Sequence, residues 1–173
     1  MNKATDEYGR RPADQELILD ALVRHDVAFL VLGGIAVYVH GYARLTRDVD
    51  ILPDPSAANL NRLATALAEL ETSVITGPGQ FAPLDVSHPE SLAVGNYFLE
   101  TSHGALDLVN GPRPDLKRYR DLESRAAQIT LAGHSISVIS KDDLISMKRE
   151  AGRPKDLADI DALEPSPRGD DIT

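Results

Sequence analysis

The sequence predicts an α/β (α+β) domain, and three observations carry that prediction. Short β-rich apolar runs interleave with amphipathic runs at helical spacing between residues 14 and 163. Glycine and proline punctuate the boundaries between these runs. The 173 residues, 42% apolar and 26% charged, suffice for one core without disulfides, and the chain has no Cys.

Residues 1–13, with Arg10, Arg11 and Pro12, lack apolar periodicity and read as a flexible tail. Asp14 is placed to cap a helix in which Ile18, Ala21 and Leu22 follow the i, i+3, i+4 rule, ending near His25. Val27 to Leu32 is a strand ended by Gly33-Gly34, and Ile35 to Tyr42 forms a short helix. Asp48 to Leu52 alternates acid and aliphatic until Pro53, so its two faces differ in character. Ser56 precedes a helix carrying Leu60, Leu63, Leu67 and Leu70. Ser73 to Thr76, Asn96 to Thr101 and Ala105 to Val109 read as strands, while Gly77 to Ala82 reads as a loop because its prolines spoil a dinucleotide-binding turn. Gln128 to Leu131 and Ser135 to Ile139 form a hairpin turning at Gly133. Ser140 with Asp143 starts a helix reaching about Ala151, and Pro154 suits the first turn of a last helix ending about Leu163. Residues 164–173 combine three acids with two prolines and one Arg, and read as a second flexible tail.

The net charge of -9 argues against a broad electrostatic footprint for nucleic acid. No apolar run has the length of a membrane span or the form of a signal peptide, so the expectation is a reduced, cytoplasmic protein. The five His show no ligand spacing, and the Walker, nucleophile-elbow and H-E-x-x-H patterns are all missing.

Chemistry concentrates around Gly33-Gly34 and the run Arg44-Leu45-Thr46-Arg47-Asp48-Val49-Asp50. Residues i and i+2 of a strand share a face at roughly 6–7 Å, so Asp48 and Asp50 either can converge on one hard cation such as Mg²⁺ or are solvated aspartates of an edge strand after a Gly turn. The bare backbone of Gly33 and Gly34 lets a triphosphate approach, and Arg44 and Arg47 are within reach of phosphate oxygens. Asp107 is a lone carboxylate in an aliphatic strand, which marks either a third metal ligand or an edge-strand or turn position. Lys148 borders the apolar stripe of its helix, either snorkelling at the rim or binding phosphate. In Arg153-Pro154-Lys155-Asp156, helix-dipole pairing explains the acids without function, and Arg153 and Lys155 are placed to neutralise some of them.

The run LGGIAVYVHGYARLTRDVDIL resembles the first motif of the DNA polymerase β-like nucleotidyltransferase superfamily, and GALDLVN its third-carboxylate strand. KDDLISMKREAGRPKDLADIDAL is similar to motifs of the abortive-infection-type toxin nucleotidyltransferases and their small relatives. The resemblance implies the nucleotidyltransferase fold, a mixed twisted sheet flanked by helices. It further implies that Asp48, Asp50 and Asp107 hold Mg²⁺, that Gly33 and Gly34 cradle the triphosphate with Thr46, Arg44 and Arg47 nearby, that Lys148 contacts phosphate, and that Asp156 is a needed acid. The family commonly has Gly-Ser at the Gly33-Gly34 position, and the larger toxins carry a helical region this chain lacks. The expected activity is transfer of an NMP from an NTP such as ATP to a hydroxyl acceptor, with pyrophosphate released. The acceptor stays open among tRNA, protein and small molecule, and a toxin paired with an antitoxin is one setting. An aminoglycoside-type transferase and a non-catalytic nucleotide-binding module are the alternatives.

Overall fold

The computed structural model describes residues 5–131 and 133–164. Helices α1 (Gln15–Arg24), α2 (Gly33–Val39), α3 (Ala57–Glu69), α4 (Leu116–Glu123), α5 (Lys141–Ala151) and α6 (Pro154–Leu163) flank one eight-stranded sheet. Its strands are β1 (Phe29–Val31), β2 (Asp48–Pro53), β3 (Ser73–Gly77), β4 (Gln80–Pro83), β5 (Asn96–Thr101), β6 (Gly104–Val109), β7 (Ala127–Leu131) and β8 (His134–Val138). They lie in the order β4-β3-β5-β6-β2-β1-β8-β7. β2 with β6 and β1 with β8 are parallel, and the remaining neighbours are antiparallel, so the sheet is mixed as expected.

The core forms where apolar periodicity places it. Ile18 and Leu22 of α1, Leu63 and Leu67 of α3, and Val31, Val49, Ile51, Leu106 and Leu108 of the central strands are sealed from solvent. Burial drives this packing at roughly 25 cal/mol per Å² of apolar surface. On β2 the alternation is resolved as the sequence implies: Val49 and Ile51 enter the core, and Asp48 and Asp50 stand half-buried on the other face. The Asp14 side chain accepts the Leu17 N–H at 3.3 Å and starts α1. Ser140 likewise accepts the Asp143 N–H at 3.2 Å to start α5, and Gly152 ends that helix in the left-handed region. Ser56 holds the cap position of α3 without a side-chain cap bond, its own N–H being taken by Asp54.

Several elements depart from expectation. The segment Gly77 to Ala82 is part of a β3–β4 hairpin turning at Pro78-Gly79, because the turn conformation at Gly79 brings the two strands into register. α4 and a 3₁₀ turn at Pro89–Ala93 fill the stretch the sequence leaves unassigned. The described part of the N-terminal segment, residues 5–13, is hydrogen-bonded rather than frayed. Ala13 donates to the Arg47 carbonyl at 2.8 Å, Gly79 donates to the Tyr8 carbonyl at 3.0 Å, and Arg10 is buried. Apolar periodicity could not register this segment, since polar bonds and one arginine hold it. Of residues 164–173, Glu164 pairs with Arg149 at 2.6 Å and the rest lie outside the described residues.

α2 begins at Gly33 itself, two residues before the expected start. Gly33 has φ +58, and a Cβ there would fall 1.8 Å from Oδ2 of Asp50. The position therefore needs glycine twice over, for its left-handed backbone and for the carboxylate packed against it. Gly33→Ala is expected to lose at least about 1 kcal/mol of unfolding free energy, from the left-handed penalty alone, and to displace Asp50. Denaturant titration reads this directly, and a variant as stable as the parent would contradict the close packing.

Candidate active site

The register of two parallel strands builds the site. On β2 and β6, Asp50 lies opposite Asp107 and Asp48 opposite Ala105, so Asp48, Asp50 and Asp107 share one face. Oxygens from the three carboxylates lie within 4.8 Å of one another. β6 is interior to the sheet, which removes the edge-strand reading of Asp107; that residue is 5% exposed. Burial, then repulsion from Asp48 and Asp107, pushes the Asp50 carboxyl up to about 7. Burial pushes Asp107 up to about 6 despite the opposing pull of Arg10. A hard, all-oxygen donor set in close contact is what Mg²⁺ takes, and a divalent charge there would relieve the repulsion, so these residues fit the metal.

A cation in direct contact with the cluster is a residue that sequence reasoning missed. Arg10 donates through Nη1 to Asp107 and through Nε to Asp6 at 2.8 Å. Its guanidinium lies 5.9 Å from the ring centres of both Tyr8 and Phe98, which stack 6.3 Å apart. Nothing in the sequence links residue 10 to residue 107. The only available signal was an arginine beside an aromatic in an otherwise polar stretch.

A second set of charges lies on α5 and α6. Lys148 donates to Asp159 at 2.7 Å and to Asp156 at 3.3 Å. Arg44 grips Asp159 with two bonds of 2.8 and 2.9 Å, and Arg153 donates to Asp156 at 2.6 Å. Burial alone would raise Asp156 and Asp159, but these cations outweigh it and hold both below the usual carboxylate range. Lys148 is thus neither a rim lysine nor a free ammonium: its buried Nζ completes the chain Arg44, Asp159, Lys148, Asp156, Arg153. Arg153 neutralises Asp156 as the sequence suggested. Lys155 makes no such bond among the described residues.

Two cavities flank the carboxylates. A small one of about 130 Å³ is bounded by Gly33, Asp50, Lys148, Arg153 and Asp156 over an apolar floor that includes Leu32 and Leu144. A larger one of about 420 Å³ contains Asp48, Asp107, Thr46, Arg10, Arg47 and Lys155 on its walls. Thr46 Oγ1 donates to Asp48 Oδ1 at 3.1 Å and occupies the space beside Gly34, where a Cβ would sit 2.3 Å from it. The departure from Gly-Ser at Gly34 therefore has a physical reason: the Thr46 hydroxyl stands where a serine side chain would project.

Fold and site together define a nucleotidyltransferase. The family described as "Nucleotidyltransferase of unknown function (DUF6036)" matches residues 13–164, and the chain belongs to that family. Among solved structures, the chain is similar to lincomycin-bound LnuA, a lincosamide antibiotic adenylyltransferase, at 17% identity and TM-score 0.58, covering 90% of this chain and 98% of that one. It is also similar to ANT(2'')-Ia in complex with adenylyl-2''-tobramycin, at 16% identity and TM-score 0.53, covering 84% and 83%. At these identities the likeness is one of fold. No curated protein sequence matches the chain significantly. No helix among the described residues is long and apolar enough to cross a membrane.

The raised carboxyls give the metal-free protein a defined pH response. Folding lifts Asp50 and Asp107 above their ordinary value of 3.8, so between about 4 and 7 the folded chain binds more protons than the unfolded chain. Their contribution to stability is present at low pH and is lost as pH rises through that window. Melting curves should show Mg²⁺ raising the melting temperature more at pH 8 than at pH 5, with Asp50→Asn flattening the difference. An equal metal effect at both pH values would contradict the repulsive cluster.

Proposed function

We propose that the protein is a Mg²⁺-dependent transferase that moves a nucleoside monophosphate from an NTP to a hydroxyl acceptor. The acceptor oxygen forms a bond to the α-phosphorus, the bond from that phosphorus to the bridging oxygen breaks, and pyrophosphate leaves while the hydroxyl proton passes to a base. The observation that carries this reading is the carboxylate triad beside Gly33. Asp48, Asp50 and Asp107 would hold the metal, which supplies charge neutralisation for phosphate oxygens and activation of the hydroxyl. Thr46 holds Asp48 by its hydrogen bond, and Asp107, once freed from Arg10, is a base on the wall of the larger cavity where the acceptor would sit. Gly33 lines the small cavity, where its backbone would meet the triphosphate, while the space beside Gly34 is taken by Thr46. Lys148 and Asp156 act through each other, holding α6 against α5 beside the small cavity.

The acceptor that fits best is a small molecule. A cavity of about 420 Å³ is within the range of small-molecule sites; of the two similar structures, one is a lincosamide antibiotic adenylyltransferase and the other holds adenylyl-2''-tobramycin. A toxin that modifies tRNA and is held by an antitoxin is the second reading. It is favoured by the basic groups Arg10, Arg11, Arg44, Arg47, Arg153 and Lys155 around that same cavity.

The test is release of pyrophosphate from α-labelled NTPs with Mg²⁺, and transfer of label to candidate acceptors. Asp48→Asn with Asp50→Asn is expected to lower turnover roughly 10³-fold, the scale of losing metal-borne charge stabilisation, while the fold is kept. Undiminished turnover in the folded double variant would remove the assignment. Label on tRNA with none on small hydroxyl compounds would select the toxin reading.

A further inference from the structure

Two lysines stand near the carboxylate triad, and their surroundings differ. The side chain of Lys148 is 8% exposed, and its ammonium is committed to Asp156 and Asp159, each 2% exposed. Turning that ammonium toward a phosphate would leave the two buried carboxylates short of a cation, which is strongly unfavourable. Lys155 is exposed, lines the larger cavity with Asp48 and Asp107, and makes no hydrogen bond or ion pair among the described residues. Its position is nonetheless fixed. It follows Pro154 in the first turn of α6 and precedes Asp156, which Arg153 and Lys148 clamp from two sides.

Resting on the nucleotidyltransferase reading above, we propose that Lys155, and not Lys148, is the ammonium that meets the polyphosphate of the nucleotide. An uncommitted lysine on a fixed backbone, walled into the same cavity as two of the acids, is suited to neutralise phosphate as a point charge. Its charge already acts on Asp50, lowering that carboxyl against the upward push of burial and of its acidic neighbours. Lys148 is a positioning residue in this account: through Asp156 it sets where the Lys155 side chain begins. The ligand class is a linear polyphosphate, so affinity for an NTP over the matching NMP resides largely in Lys155.

The experiment is calorimetric titration of the intact protein, in the presence of Mg²⁺ and without acceptor, with inorganic tripolyphosphate, ATP and AMP, alongside melting curves. Lys155→Gln is expected to weaken tripolyphosphate and ATP binding about tenfold or more, as for loss of one charge-assisted contact, with AMP binding and melting temperature unchanged. Lys155→Arg should recover most of the affinity. Lys148→Met should lower the melting temperature. Wild-type ATP affinity in Lys155→Gln would overturn the proposal while leaving the nucleotidyltransferase reading intact. So would a Lys148→Met variant that loses polyphosphate affinity with no loss of melting temperature. A wild-type protein that binds neither ATP nor tripolyphosphate would overturn both.

Discussion

The parallel pairing of β2 with β6 is the constraint on which the site depends. It sets Asp50 beside Asp107 and leaves Asp48 on the same face, so three carboxylates share a space where each disfavours the ionisation of the others. A packed sheet tolerates this only with positive charge nearby. Arg10 supplies some of it at Asp107, reaching across from a segment held by hydrogen bonds and ring contacts. Gly33 completes the crowding, since its missing Cβ is what lets the Asp50 carboxylate lie against the backbone.

The helices α5 and α6 solve a related problem differently. Asp156 and Asp159 are buried as well, yet they are held ionised because Lys148, Arg44 and Arg153 are arranged around them. Burial of charge is tolerated where partners are complete, and it raises the carboxyl where they are not. One site thus contains a satisfied ion-pair chain that fixes α6 and an under-neutralised carboxylate cluster that suits a metal. Arg44 joins the two, because its loop carries Thr46 to Asp48 while its guanidinium holds Asp159.

Much of this was legible in the sequence. The i, i+2 spacing of Asp48 and Asp50, the Gly pair before a helix and the lone acid in an aliphatic strand predicted a shared face, and the register of β2 and β6 brings those residues together. Helix starts were readable where a side chain caps, as at Asp14 and Ser140. What was hidden depends on contacts distant in the chain and on polar geometry. Arg10 meets Asp107 across 97 positions, and local periodicity carries no trace of that. Lys148 presented itself as a residue beside an apolar stripe, and the two aspartates that bury its charge belong to the next helix. The β3–β4 hairpin was obscured by its own prolines, whose turn chemistry resembles that of a loop.

The central claim is that the three carboxylates form one divalent-cation site. Titration of the intact protein with Mn²⁺, followed by electron paramagnetic resonance, measures it most directly, because bound and free ions are counted without reference to catalysis. The account predicts saturable Mn²⁺ binding that Mg²⁺ displaces and that Asp107→Asn weakens markedly, while Asp85→Asn, a change at an exposed acid outside the cluster, leaves the ion in place. Binding indifferent to Asp107→Asn, or no saturable binding at all, would contradict it.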